Sequence, residues 1–128
     1  MQKIKILLID DEEDFVKMLS ERLRTRNLES DIALNGEQAL ELVVNQVPDV
    51  MILDLKMPGL DGMEVLRHVK TTYPDVEIII LTGHYSLEDR IEALVLGAYE
   101  FLEKPVDIDH LINTIKQAYK SLPKSASD

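Results

Sequence analysis

The chain contains no cysteine, so no disulfide, zinc thiolate or thiol redox chemistry supports it, and its framework must rest on packing alone. Its three histidines, His68, His84 and His110, have no second histidine three or four positions away, which argues against a zinc site. Positive charge is in deficit: 14 Lys and Arg stand against 24 Asp and Glu, a net charge of -10. That balance disfavours direct binding to nucleic-acid phosphates or anionic membranes. No apolar run approaches the length of a membrane span, and the short one after Met1 runs straight into acids, without the flanks of a signal peptide. The Gly-Lys-Ser/Thr of a phosphate-cradling loop is missing, as are internal repeats and low-complexity blocks. A reduced, soluble, cytoplasmic protein is expected.

What is present suits one domain. A chain of 128 residues is long enough to bury roughly 65–70% of its unfolded surface. Apolar runs of strand length recur at Ile4 to Ile9, Val50 to Leu53 and Val76 to Leu81, with a shorter one at Tyr99 to Leu102. Runs without polar alternation suit strands covered on both faces, as in parallel sheets. The weaker Leu28 to Leu34 run, where Glu29 and Asp31 alternate with apolar residues, suits an edge strand.

Helical patterns lie between these runs. Asn35 with Gln38, and Asp61 with Glu64, have capping-box spacing, and Ser86 and Asp107 look like further N-caps. Phe15, Met18, Leu19 and Leu23 mark a buried face of the first helix, and Ile108, Leu111, Ile112, Ile115 and Tyr119 that of the last. The methionines are scattered gap-fillers, and Gly59 and Gly62 are turn glycines. Strand and helix alternate five times, which predicts an α/β fold with βαβ crossovers on a parallel sheet. A domain over residues 1–121 is expected, with 122–128 as a C-terminal tail or the start of a linker.

Four signals end apolar runs: Asp10-Asp11-Glu12, Asp54 with Met57-Pro58-Gly59, Thr82-Gly83 and Lys104-Pro105. In an open parallel sheet, residues just past the strand ends gather in one crevice at the carboxyl edge. Carboxylates about 4 Å apart repel by about 4 kcal/mol at an effective dielectric near 20, so clustering Asp10, Asp11 and Asp54 calls for a cation. Mg²⁺ suits, since it takes one or two carboxylates and keeps room for phosphate oxygens. Asp54 is then a candidate nucleophile toward a phosphoryl group. Each signal alone has a plainer meaning: Asp10-Asp11 as helix caps, Asp54 as a turn residue, Thr82 as a cap and Lys104 as a solvated lysine. Lys104 points into the crevice if its bond to Pro105 is cis.

Taken in order, these motifs resemble the receiver domain of bacterial two-component response regulators, the chemotaxis-regulator-like family, over Lys3 to about Tyr119. The resemblance implies a flavodoxin-like, doubly wound fold: a five-stranded parallel sheet of order 2-1-3-4-5 with five helices on both faces. It implies a phosphorylation-dependent switch in a phosphorelay, a signalling domain that assists its own phosphoryl transfer and autodephosphorylation. Asp54 would accept the phosphoryl group from a histidine kinase or phosphotransfer protein. Asp11, Asp54 and the backbone carbonyl of Lys56 would coordinate Mg²⁺, with Asp10 acting through water. Lys104 would hold one phosphate oxygen and Thr82 another, and Phe101 would be the switch aromatic that turns inward. Leu87 to Leu96, Tyr99 to Leu102 and Asp107 to Lys120 would form the output and homodimer face. Phe15, Met18 and Pro105 would form the kinase-docking patch. The chain would be a single-domain regulator or the receiver part of a longer one.

Two departures from the family pattern stand out: Gly83 replaces the commoner alanine after Thr82, and Phe101 has no hydroxyl to bond outward. Lys56 and His84 border the route of attacking water and would tune the phosphoryl lifetime. Two other functions compete. A phosphatase of the haloacid dehalogenase type would want Asp-x-Asp after the first strand and room for a cap, and it would turn over generic phosphate esters. A flavodoxin would want a hydroxyl-rich phosphate loop there, where this chain has carboxylates, and it would purify yellow.

Overall fold

The computed structural model describes residues 3–123. Its strands are β1 (Ile6–Ile9), β2 (Ser30–Ala33), β3 (Val50–Leu53), β4 (Glu77–Thr82) and β5 (Glu100–Glu103). The alternating helices are α1 (Glu13–Arg24), α2 (Gly36–Asn45), α3 (Gly62–Thr72), α4 (Leu87–Val95) and α5 (Ile108–Lys120). All strand pairs are parallel, in the expected order β2-β1-β3-β4-β5.

The central strands are apolar on both sides because both faces are covered. Leu7, Ile9, Met51, Leu53, Ile78, Ile80 and Phe101 face one core with Val43 of α2, Val65 and Leu66 of α3 and Ala93 of α4. Ile6, Leu8, Val50, Ile52, Ile79, Leu81 and Leu102 face the other with Val16 and Leu19 of α1 and Leu111 and Ile115 of α5. The period-two alternation of a strand thus sorts neighbouring residues into two layers.

Several local expectations shift. β1 starts at Ile6 rather than Ile4: Ile6 is the first residue paired with β2 and β3, and the Lys5 carbonyl before it accepts from the amides of Asp49 and Val50. In α1 the inward stripe is Val16, Leu19 and Leu23; Phe15 is half-buried and Met18 is 49% exposed, because the helix is turned by about one residue from the expected face. Asp61 and Glu64 form the predicted capping box. Asn35 caps the Gln38 amide, but Gln38 answers to the Leu34 amide instead of closing the box. Ser86 and Asp107 are N-caps, and Asp89 completes a box with Ser86.

Gly59 is a turn glycine with φ +75°, whereas Gly62 opens α3. A Cβ at Gly62 would lie 2.1 Å from the Asp54 carbonyl oxygen and 2.6 Å from Leu55 Cα, both backbone atoms. Only glycine lets the helix press this closely on the chain that carries Asp54. Helix α5 ends at Lys120 with Ser121 as its C-cap, and of the expected tail, residues 124–128 lie outside the described residues. Among the described residues no helix is long and apolar enough to cross a membrane.

Candidate functional site

The strand register builds the site. Ile9 pairs with Ala33 and Leu53, Leu53 with Ile80, and Thr82 with Glu103, so Asp10, Asp54, Thr82 and Lys104 arrive together at one edge. Backbone bonds extend the ladder past the strand ends: the Asp54 amide donates to the Ile9 carbonyl at 3.0 Å and the Lys104 amide to the Thr82 carbonyl at 3.0 Å. The Lys104–Pro105 bond is cis.

Asp10, Asp54 and Thr82 are buried. The Thr82 hydroxyl donates to Asp54 Oδ1 at 2.7 Å, and the Lys56 amide approaches the same oxygen at 3.4 Å. Lys104 Nζ lies 2.7 Å from Asp10 Oδ2, 2.8 Å from Glu12 Oε1 and 3.7 Å from Asp54 Oδ2. The Glu12 amide donates to Asp10 Oδ1 at 2.9 Å. One ammonium therefore offsets three clustered carboxylates.

The titration behaviour follows from this layout. Burial pushes the Asp10 carboxyl above its ordinary value against the opposing bonds from Lys104 and the Glu12 amide, and the Asp54 charge adds to the rise. Burial alone would lower Lys104, but its bonds to Asp10 and Glu12 outweigh that and hold it above its ordinary value. Exposed Glu12 is held low by the bond from Lys104.

Oxygens of Asp10, Glu12 and Asp54 lie within 4.8 Å of one another. A set of hard carboxylate oxygens, two of them from buried side chains, fits Mg²⁺. Asp11, expected as a ligand, is exposed and outside this group, and Glu12, to which sequence reasoning gave no role, stands in it. Its only sequence signal was its place next to Asp10-Asp11. Lys56 is exposed, and its Nζ lies 3.2 Å from Asp89 Oδ2, tying the loop after β3 to the start of α4.

Phe101 is buried, its ring meeting Tyr85 edge-on at 4.7 Å between centroids, with the Arg90 guanidinium 5.9 Å from its centroid. The inward orientation of this aromatic is therefore the one present. Tyr85 carried no signal beyond its place three residues after Thr82. Of the residues expected to dock a kinase, Met18 and Pro105 are exposed and Phe15 is half-buried beside Lys104. A concavity of about 890 Å³ opens at the amino end of β1 and β2, around Lys5, Ser20 and Asp31, and includes none of these side chains. Chemistry, not cavity size, marks the carboxyl edge as the site.

A family model described as the response regulator receiver domain matches residues 6–116. A putative NtrX-like response regulator of Rickettsia typhi is 33% identical over 120 residues, 92% of this chain and 25% of that protein. The chain thus spans about a quarter of the length of such relatives. Sporulation initiation phosphotransferase F of Bacillus subtilis is 35% identical over 117 residues, covering 91% of this chain and 94% of that one. Among solved structures, a CheY-like response regulator receiver domain protein from Methanospirillum hungatei superposes with TM-score 0.89 at 27% identity, over 93% of this chain and 95% of that one.

Proposed function

The chain belongs to the response regulator receiver domain family, a signalling domain of two-component systems, and we propose that it works as a phosphorylation-dependent switch with Asp54 as the phosphoacceptor. The observation that carries this reading is what faces the two Asp54 oxygens: the Thr82 hydroxyl donates to one at 2.7 Å and the Lys104 ammonium lies 3.7 Å from the other.

In this mechanism an Asp54 carboxylate oxygen attacks the phosphorus of a phosphohistidine, the P–N bond breaks, and the imidazole leaves with its electron pair. Charge then accumulates on the phosphoryl oxygens, where prepositioned donors stabilise it most. Lys104 swings from Asp10 and Glu12 to take one oxygen, and the Thr82 hydroxyl turns to another. Mg²⁺ would be held by Asp11, Asp54 and the Lys56 carbonyl, with Asp10 acting through water, and when bound it neutralises charge on the phosphoryl oxygens. Support for a metal comes from the acid cluster at this edge, which includes Asp10 and Asp54. Hydrolysis of the aspartyl phosphate returns the resting state, with Lys56 and His84 bordering the approach of water.

The donor is a histidine kinase or a phosphotransfer protein docking on Phe15, Met18 and the Pro105 loop. The output and homodimer face is α4-β5-α5, supported by the exposed apolar side chains Leu87, Ile91 and Val95 along α4. The net charge of -10 supports a domain that binds neither nucleic acid nor membrane directly, and the lack of cysteine supports work in the reducing cytoplasm. The receiver unit runs over residues 1–121, followed by a tail or linker, in a single-domain regulator or as part of a longer one.

Incubation with acetyl phosphate and Mg²⁺, followed by intact-mass measurement, should show one phosphate adduct in the wild type and none in Asp54→Asn. An undiminished adduct in Asp54→Asn would overturn the assignment.

A further inference from the structure

The Lys104 ammonium has a fourth neighbour. Its Nζ lies 4.3 Å from the centroid of the Phe15 ring, inside the roughly 6 Å range over which a ring face attracts a cation. The Lys104 side chain is only 13% exposed, so water competes weakly for that attraction. Phe15 stands in the first turn of α1 but off the inward stripe of Val16, Leu19 and Leu23, and it borders the same small cavity as Asp10 and Asp54. Its ring therefore serves the sheet edge as well as the core.

We infer that Phe15 is a positioning residue for phosphoryl transfer, holding the Lys104 ammonium at the depth where it reaches a phosphoryl group on Asp54. The inference rests on the role of Lys104 proposed above. Two forces act on this ammonium. Glu12, whose side chain is 64% exposed, draws it toward solvent, while the distance to Asp54, 3.7 Å, is the longest of its three carboxylate contacts. A phenyl face attracts the charge yet offers no lone pair to capture its protons, so all three N–H donors stay free for oxygens. An aliphatic residue of similar size would fill the space without that attraction.

The test uses acetyl phosphate as donor, so that kinase docking does not enter, and follows the rate of adduct formation at saturating Mg²⁺. Phe15→Leu should slow phosphorylation by a factor between about two and thirty, the span of cation–π strengths from exposed to desolvated sites. Phe15→Tyr should retain the rate. Pentafluorophenylalanine at position 15 keeps the ring but reverses its quadrupole, and should slow the reaction as leucine does. In a Lys104→Ala background, itself slow, Phe15→Leu should have no further effect. A wild-type rate with leucine or with the fluorinated ring would overturn the inference, as would an equal slowing in the Lys104→Ala background. Lys104→Ala reacting at the wild-type rate would instead overturn the role given to Lys104, and the positioning role with it.

Discussion

Replacing Lys104 by alanine in metal-free protein removes the cation that contacts Asp10, Glu12 and Asp54. At an effective dielectric near 20, each attraction at about 4 Å is worth about 4 kcal/mol, and acids with oxygens within 4.8 Å repel by a similar amount. Glu12 is mostly exposed, so its share falls to surface-pair size, below about 1 kcal/mol. Removing one partner from a fully buried pair costs about 3–5 kcal/mol. Here Asp10 keeps the bond from the Glu12 amide when Lys104 is lost, which relieves part of that cost. The net loss should be about 2–3 kcal/mol near pH 7, or about 8–12 °C in Tm for a domain of this size.

The pH dependence has a definite sign. A buried acid with a raised folded-state pKa destabilises the fold fully above that pKa, and the penalty fades as pH falls through it toward the ordinary carboxylate value. Losing the Lys104 bond, which holds Asp10 down, raises it further. Lys104 itself is raised, so its contribution is complete below its unfolded pKa and is lost only as pH rises through the folded value, far above neutrality. The deficit of Lys104→Ala should therefore be largest near pH 7 and shrink toward about pH 5. Urea and thermal unfolding in EDTA at both pH values measure it. A variant as stable as the wild type near pH 7, or a deficit that grows on acidification, would refute the reasoning.

Mg²⁺ at about a hundredfold excess over its Kd should stabilise the wild type by about 2.7 kcal/mol, and Asp11→Ala should lose most of that rise. An equal rise in Asp11→Ala would reject Asp11 as ligand and pass the role to Glu12, which the structure places in the cluster. Thr82→Ala should still accept phosphate at Asp54 yet fail to shift the α4-β5 face, read as amide chemical shifts across Gly83 to Leu102 with and without beryllofluoride. A wild-type response would reroute the coupling through Lys104 and the Pro105 loop.

The strand order came with the family resemblance, whereas the parallel α/β arrangement and the meeting of Asp10, Asp54, Thr82 and Lys104 were legible because apolar runs of strand length each end in a polar residue. That pattern is a property of chain order, which sequence displays directly. The rotation of α1 was not legible: Phe15, Val16, Met18 and Leu19 are all apolar, so periodicity allows two neighbouring faces, and only packing against Leu8 and Ile52 selects one. Gly62 looked like a turn glycine because its neighbours are turn residues. Its close approach to the Asp54 backbone depends on the helix behind it. Glu12 was overlooked for the opposite reason, since an exposed acid at a helix start is ordinary, and only Lys104, 92 residues away in the chain, draws it into the site.

On the proposed reading, the size of the phosphorylation signal constrains the resting chain. Moving a two-state equilibrium from 1:99 to 99:1 takes about 5.5 kcal/mol of differential binding. Bonds to a charged group contribute about 1.5–3 kcal/mol each, and Thr82 and Lys104 give up existing bonds to Asp54, Asp10 and Glu12 to make them, so the two supply at most about 3–6 kcal/mol. Little is left over for driving Phe101 inward. The inward state must therefore be cheap in the resting chain, and two features make it so. Phe101 lacks a hydroxyl, so turning inward sacrifices no outward hydrogen bond, and its ring gains the edge-on contact with Tyr85 at 4.7 Å. The described structure agrees in pairing a buried Phe101 with a Thr82 hydroxyl already bonded to an unmodified Asp54. Phosphorylation then has mainly to fix the Gly83 to Tyr85 loop in place rather than to create the inward pocket, which puts the energetic weight of the switch on Thr82.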